Sequence, residues 1–329
     1  MATLELLFEN PEEDIYEYKP SSVSLKQERT CSASTLDGTI PDVTGHVIKM
    51  GATCRLFADG ELIFYGYVFS ANIDRWGVMS FTAHDCLRYL RNTFSNYYPR
   101  GYKPVDVIKD ICKAFNVKVG TLDDIPATGW PLLCDNESGL DIISKLVDTA
   151  IVLTKKIIVF YAEGDKVYLK YADDMIRNEV VGDNSLSTEY SLSISIDEDT
   201  YNQIFLYRES SASGGRHYVV AESKGSDSTV NKWGILRYSE SVEDGMTDAQ
   251  MQDKADKLLE MKNREFKSMT ISALGIVGLR AGQMLTIDFP SLADPVSKRQ
   301  IVCIDSVTHN FEDSTHTMEL EVRTFWRDS

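Results

Sequence analysis

Two histidines near the end of the sequence, His309 and His316, are the residues best spaced for metal chemistry. A turn predicted at 311–314 would let their imidazoles face each other across a hairpin. A protein metal site takes three or four ligands, and no recognised spacing joins this pair to the candidate third ligands Asp305, Glu312 and Asp313. The remaining histidines are far apart, at His46, His84 and His217. We therefore predict no metal site and interpret the two histidines as turn residues.

Residue patterns typical of catalysis are missing from the sequence. Glycoside hydrolysis needs two carboxylates held across a cleft. The chain has 50 Asp and Glu residues, but no pair of them lies in a recognisable sequence motif. GxSxG, GxxxxGK[ST], HExxH and GxGxxG are all absent. Ser213-Gly-Gly215 reads as a loop, since no strand-to-helix transition follows it. We predict that the protein is not an enzyme and has neither catalytic nor cofactor-binding residues.

Paired aromatic residues offer a different chemistry, the stacking of sugar rings. Tyr97-Tyr98 and the Tyr16/Tyr18 pair are the candidate platforms. Aromatic residues at strand ends more often serve packing or interfaces. We favour that interpretation, without assigning interface residues, and keep carbohydrate binding as an alternative.

Charge and composition restrict the classes of partner. The net charge of −16 opposes a sequence-independent grip on nucleic acid, which needs clustered Lys and Arg, and it opposes docking on anionic lipid. Six cysteines are scattered without CxxC spacing, so we expect buried free thiols in a chain made in a reducing cytoplasm. The start of the sequence lacks the pattern of a signal peptide. Its apolar runs are shorter than the roughly 20 residues of a membrane helix.

The elements that carry these residues divide the chain into three predicted domains. Residues 1–98 read as all-β, with a tight hairpin at Asp59-Gly60 because both central residues of a type I′ turn need positive φ. Residues 99–178 read as a small α+β domain of two helices and a hairpin. Pro104 begins the first helix and Ser138 caps the second.

Residues 179–329 return to strands, interrupted by a long helix predicted over about 247–267 that Thr247 can cap. Met269 is then expected to form the tail of this helix. The clearest strand is Met318–Val322, where apolar and charged residues alternate strictly.

The two β-rich parts form a weak internal repeat. A glycine precedes an apolar strand at both Gly51 and Gly282, the segment 65–73 parallels 301–309, and 78–83 parallels 317–322. The order and spacing of strands support this alignment rather than identity. The predicted fold class is therefore mainly β with an α+β insert: two related β-barrels and a small helix-hairpin domain.

Five segments, taken in order, resemble a known family. They are Gly51–Val68 with its "IFYGYV", then "AHDCLRYL", "DSTVNKWGIL", the helix that follows it, and "GLRAGQMLTI" with the closing "VTHNF…HTMELEV". In this order they are similar to the baseplate hub proteins of contractile phage tails and phage-like particles, a group that includes PBSX XkdQ-like proteins and the Mu- and T4-type tail hubs. The similarity is weakest over 110–180, and Trp233 stands where a tyrosine is expected.

The resemblance implies a structural role. Such hubs are homotrimers in which each subunit carries two tail-tube-like β-barrels. Three chains then make a ring of six barrels, which adapts a six-fold tail tube to a three-fold spike. The implied partners are the tube protein, the spike protein and other baseplate or LysM-type tail proteins, without membrane or sequence-specific nucleic acid. The implied location is a virion or tail-like particle assembled in the bacterial cytoplasm.

Two alternatives stay open beside the hub. One is a tail-associated cell-wall hydrolase using a carboxylate pair within 99–178. The other is a host-surface carbohydrate-binding module built on the aromatic strands. An acidic chain also suits a tube lumen, because like charge keeps DNA from sticking.

Overall fold

The computed structural model describes residues 3–11, 15–43, 48–126, 132–209, 216–242, 246–292, 299–312 and 315–323. His46, Asp313 and the 213–215 loop from the sequence analysis lie outside these ranges. The described chain is mainly β, as predicted. Its strands build one large sheet, and three smaller sheets pack around it.

The first part is all-β, as its alternating pattern predicts. In most of its strands every second side chain is buried, which is the two-residue period of a half-buried strand. Asp59 and Gly60 both have positive φ, 52° and 79°, which confirms the predicted hairpin turn. The strands are β1 (Leu4–Glu9), β2 (Ile15–Tyr18), β3 (Ser22–Glu28), β4 (Thr35–Ile40), β5 (Thr53–Ala58), β6 (Glu61–Ile73) and β7 (Met79–His84).

The middle part packs two helices and two small sheets around one core. Pro104 stands at the first helical position of α1, and the Ser138 hydroxyl accepts from the Asp141 amide to cap α2. Both predictions are confirmed. In chain order there follow a 3₁₀ helix (Cys86–Arg91), β8 (Thr93–Tyr98), α1 (Pro104–Ala114), β9 (Lys118–Leu122), β10 (Leu132–Ser138), α2 (Gly139–Thr154), β11 (Ile158–Glu163), β12 (Lys166–Tyr171) and a second 3₁₀ turn (Ala172–Asp174).

The last part returns to strands, with one long helix capped by Thr247 and Gln250. The helix ends at Lys262, so the expectation that it reaches about 267 is wrong. Pairing with Ser195 draws Phe266 into a strand, and Met269 is a strand residue. The elements are β13 (Ile176–Gly182), β14 (Ser187–Ser195), β15 (Gln203–Glu209), β16 (Arg216–Glu222), α3 (Thr229–Trp233), β17 (Arg237–Ser241), α4 (Asp248–Lys262), β18 (Phe266–Leu274), β19 (Met284–Asp288), β20 (Arg299–Glu312) and β21 (Thr315–Arg323).

The large sheet consists of two halves with the same strand order. The first half runs β3-β4-β7-β6-β5-β1, with β2 beyond β1, and the second runs β14-β18-β21-β20-β19-β13. Each strand of one list has its counterpart at the same place in the other, and the counterparts also follow the same order along the chain. The second half differs by the insertion of β15–β17, α3 and α4 between β14 and β18, and by the direction of its last strand, since β13 lies parallel to β19 whereas β1 lies antiparallel to β5.

The repeat extends to individual hydrogen bonds. The amide of Gly51 donates to Val68 O at 2.8 Å, and the amide of Gly282 donates to Ile304 O at 2.8 Å. Both glycines have positive φ, 81° and 89°. The β6–β7 ladder is shifted by a bulge at Phe69, as the β20–β21 ladder is at its counterpart, Asp305. The alignment proposed from sequence therefore superimposes the registers of both hairpins.

The two halves join where β20 pairs with β3, yet each keeps its own hydrophobic core. Within the described residues the strand pairing follows an open path and closes neither half into a barrel. In each half the two end strands are neighbours in sequence, β2 with β3 and β13 with β14. The bounds 1–98, 99–178 and 179–329 stay a prediction. The pairing places β8 with β10 of the middle part, and β15–β17 form a separate sheet under α4.

Candidate functional site

His309 and His316 form a hydrogen-bonded pair on the paired strands β20 and β21, in which His309 is buried and His316 is half-buried. His309 is 3% exposed. Its Nε2 lies 2.7 Å from Leu279 O and its Nδ1 lies 2.9 Å from Nε2 of His316. Because a carbonyl oxygen only accepts, Nε2 of His309 carries the proton, and its Nδ1 accepts from His316. The interpretation of the two histidines as turn residues is therefore wrong.

The environment of this pair disfavours protonation of both rings. Burial lowers the pKa of His309. Burial, and then the neighbouring charge of His309, lowers the pKa of His316 to about 4. Phe311 stacks on the His316 ring with centroids 4.0 Å apart. A metal would have to displace these hydrogen bonds, and the part of the chain that the structure describes holds no cluster of three metal-ligating side chains.

Asp305, a candidate third ligand, has another role. Its Oδ1 accepts from Nε of Arg29 at 2.8 Å, and its other carboxylate oxygen pairs with Arg323. The main-chain oxygen of Asp305 accepts the Arg29 amide at 2.7 Å. Glu312, the other described candidate, is exposed near the far end of β20. The carboxylate thus fixes the bulge of β20 to the end of β3, where the two halves of the sheet meet.

A narrow cleft of about 80 Å³ opens beside the histidine pair, where the first half, the second half and the middle part meet. Arg280 crosses this junction: its guanidinium lies 3.9 Å from the Tyr161 ring centroid and donates to Ala162 O at 2.9 Å. Burial lowers the pKa of Arg280. Buried Asp85 nearby caps the first 3₁₀ helix by accepting the Leu87 amide at 3.0 Å, and burial raises its pKa to about 6. These contacts connect the three parts of the chain.

The two candidate aromatic pairs differ in their surroundings. Tyr97 is 58% exposed, whereas Tyr98 is buried and donates its hydroxyl to Asp110, because neighbouring residues of a strand point to opposite faces. Tyr18 packs edge-on against Phe8 at 6.1 Å.

Sequence reasoning missed an aromatic group on the small β15–β17 sheet. Phe205 stacks on Tyr218 with centroids 5.3 Å apart, and it also contacts Tyr207. The alternation of large apolar residues in 203–209 and 216–222 was the signal that could have found it.

The outer side of the large sheet is polar throughout its centre. We call the outward positions of β21, β20, β3, β4 and β7 the polar face. Hydrogen bonds run along it from Ser24 to Asn310 at 2.9 Å and from Thr82 to Asp37 at 2.6 Å. Its members are Thr317, Glu319, Glu321, Arg323, Ser306, Thr308, Asn310, Glu312, Ser22, Ser24, Lys26, Glu28, Thr35, Asp37, Thr39, Ser80, Thr82 and His84.

The polar face is acidic and carries no apolar side chain. It has five carboxylates but two cationic side chains, those of Lys26 and Arg323. Such a face repels polyanions and offers little apolar surface for adhesion. Among the described helices, none has the length and apolar character needed to cross a membrane.

Comparison with known proteins confirms the resemblance found in the sequence. The chain is 28% identical to the YqbQ protein of Bacillus subtilis over 96% of its own length and 95% of that protein. It is 27% identical to the phage-like element PBSX protein XkdQ of the same organism, over 92% and 91%.

Among solved structures, the 43 kDa tail protein of prophage MuSo2 from Shewanella oneidensis has the same fold. The TM-score is 0.71 at 11% identity, with 97% of this chain and 98% of that chain covered. The YQBQ-like family model matches residues 23–323, from β3 through the middle part to the end of β21. The chain therefore belongs to the YQBQ-like family.

Proposed function

We propose that the protein is a structural hub in the baseplate of a contractile tail or a tail-like particle. The observation that carries this proposal is the repeat of strand order and register in the two halves of the large sheet. An adaptor between a six-fold tube and a three-fold spike needs each of three chains to present two equivalent units. A chain with two copies of one sheet meets that requirement, since three copies arranged head to tail close a ring.

In this proposal the two sheet halves are the tube-like units, and three chains provide six of them. The tail tube protein stacks on one side of the ring, and the spike protein and other baseplate or LysM-type tail proteins dock on the other. The polar face is suited to line the central channel of the ring. Its carboxylates repel a nucleic acid that passes through, and its hydroxyls offer no apolar surface to which a passing molecule could adhere. The particle is assembled in the bacterial cytoplasm, and the hub remains in the finished virion or particle.

The similarity of the chain to a PBSX protein and to a prophage tail protein supports a role in a tail. The hydrogen bonds that occupy the histidine pair and Asp305 favour structure over catalysis. Zymography on peptidoglycan tests the hydrolase alternative, and clearing of the gel would contradict a purely structural role. A pull-down on cell walls tests the carbohydrate-binding alternative, since a hub inside a particle is expected to bind little.

The decisive experiment is light scattering of the purified chain, alone and with its tube protein, followed by negative-stain imaging. We expect a species of three times the chain mass that appears as a ring with a central hole. A monomer at every concentration, also in the presence of tube protein, would overturn the proposal.

A further inference from the structure

Among the described residues, the small β15–β17 sheet has an unpaired edge at β16. β16 pairs with β15 in an unbroken register of seven residue pairs, and in the described structure its other edge has no neighbouring strand. From His217 to Glu222 it reads His-Tyr-Val-Val-Ala-Glu, without lysine, proline or bulge. An unpaired edge of this composition is a template for another strand.

Three other edge strands of the described chain carry features that prevent such pairing. β2 has only four residues and includes Glu17. β14 has a bulge beside Glu189. β17 carries Arg237 and Glu240. β16 stands apart from these three, because its edge is long, regular and uncharged between its end residues.

The two sides of this edge differ in chemistry. On the outer side, Tyr218 is 60% and Val220 is 39% exposed, next to the stacked ring of Phe205. On the inner side, α4 packs over β15 and β16. One flank of α4 contacts β17 through Lys254 and Glu240, 2.7 Å apart.

The opposite flank of α4 lies at the β16 edge and is acidic. Its Asp248 is 3.1 Å from Nε2 of His217 on β16 and also pairs with Arg208 of β15 at 2.6 Å. Asp248, Gln252 and Asp256 are four residues apart, so they form one row along the helix, and Gln252 donates to Asp256 at 2.9 Å. A strand added beside β16 would turn alternate side chains toward this row and the others toward Tyr218 and Val220.

We propose that the β16 edge binds an extended segment of another protein by strand addition, with basic residues alternating with apolar or aromatic ones. Main-chain hydrogen bonds to β16 hold the segment. Its apolar side chains cover Tyr218, Val220 and Phe205, and a lysine or arginine of the segment lies beside Asp256, because Asp248 already pairs with Arg208. The charge of the α4 flank selects this partner over a second copy of the chain, because β16 itself supplies no run of alternating basic residues.

The test uses the full chain and a fluorescein-labelled peptide of about nine residues, in which lysine alternates with valine and tyrosine. A scrambled peptide with contiguous lysines is the control for non-specific attraction to an acidic protein. We expect the alternating peptide to bind at least about tenfold more tightly than the scrambled one, since only a regular alternation matches both sides of the edge.

Two pairs of variants locate the site. Val220→Lys is expected to weaken the alternating peptide about tenfold by placing a like charge at the edge, whereas Leu274→Lys, at an exposed position of another sheet, leaves binding within about twofold. Asp256→Asn weakens binding a few-fold, and Asp253→Asn, whose carboxylate pairs with Lys257, does not. Amide exchange is expected to slow in 217–222 on binding and to stay unchanged in β17.

Failure of the wild-type chain to prefer the alternating peptide would overturn the proposal, as would equal losses in Val220→Lys and Leu274→Lys. Protection appearing in β17 instead of β16 would also overturn it. Self-association that Val220→Lys abolishes would show that a second copy, rather than a different protein, occupies the edge.

Discussion

Gly51 and Gly282 are counterparts in the repeat but differ in their surroundings, which makes them a matched pair for mutation. Both have positive φ, 81° and 89°. A Cβ on Gly51 would meet no atom within 4 Å, whereas on Gly282 it would lie 2.4 Å from Cγ1 of Val159 in β11. Replacement by alanine therefore imposes the same backbone strain at both sites and a steric clash only at Gly282.

The expected magnitudes follow from these two terms. A left-handed conformation costs an L-residue about 1–2 kcal/mol, and the reduced entropy of the unfolded chain returns about 0.4–1 kcal/mol. Gly51→Ala should thus lower the free energy of unfolding by about 0–1.6 kcal/mol. Overpacking adds about 1–3 kcal/mol at Gly282, so Gly282→Ala should lower it by about 1–3 kcal/mol more than Gly51→Ala does.

Urea denaturation of the wild type and the two variants measures the difference in the free energy of unfolding. Amide exchange in β11 reports whether the clash at Gly282 disturbs the middle part. We expect faster exchange at 158–163 in Gly282→Ala and no change there in Gly51→Ala. Equal losses of stability, or a greater loss in Gly51→Ala, would refute the description of Gly282 as the contact between the repeat and β11.

Three further predictions concern side chains. The depressed pKa values of His309 and His316 mean that the unfolded chain takes up protons first, so the stability that this pair contributes is fully present above about pH 6.5 and is lost toward pH 4. Buried Asp85, whose pKa is raised to about 6, changes stability in the opposite direction over this range, so the test is the difference between the wild type and His316→Phe. In a urea series at several pH values the wild type should lose about 1–2 kcal/mol more than His316→Phe, an amount kept small by solvent at His316. Asp305→Ala removes the carboxylate that pairs with buried Arg29 and should cost about 3–5 kcal/mol by urea denaturation, with Glu312→Ala as a near-neutral control. Thr247→Ala removes the cap of α4 and should cost about 1 kcal/mol, measured by thermal melting; no change would contradict the capping assignment.

Local signals in the sequence predicted local structure well. The turn at Asp59-Gly60 and the caps at Ser138 and Thr247 depend on a few neighbouring atoms, and all are confirmed. The end of α4 was misplaced because it depends on a distant strand: Phe266 pairs with Ser195 across the sheet. A helix pattern carries no information about that partner.

The candidate site was harder to predict for the same reason. His309 and His316 were identified as close, but their hydrogen bond depends on the register of β20 and β21 and on the Leu279 carbonyl from a separate loop. The internal repeat could be recognised from the sequence because the two halves share the order and spacing of their strands, although their residues are not identical. The small β15–β17 sheet was not separated from the rest, since its strands have the same pattern as their neighbours.

The seam between β3 and β20 has a consequence for how the chain acquires its structure. Ser24 and Asn310, hydrogen-bonded across it, are 286 residues apart in sequence. During synthesis one edge of β3 therefore stays unpaired until β20, near the end of the chain, has been made. Pairings of such long range form slowly and leave edges open to aggregation. We expect truncated products ending before 299 to be insoluble even where their own half retains a complete core.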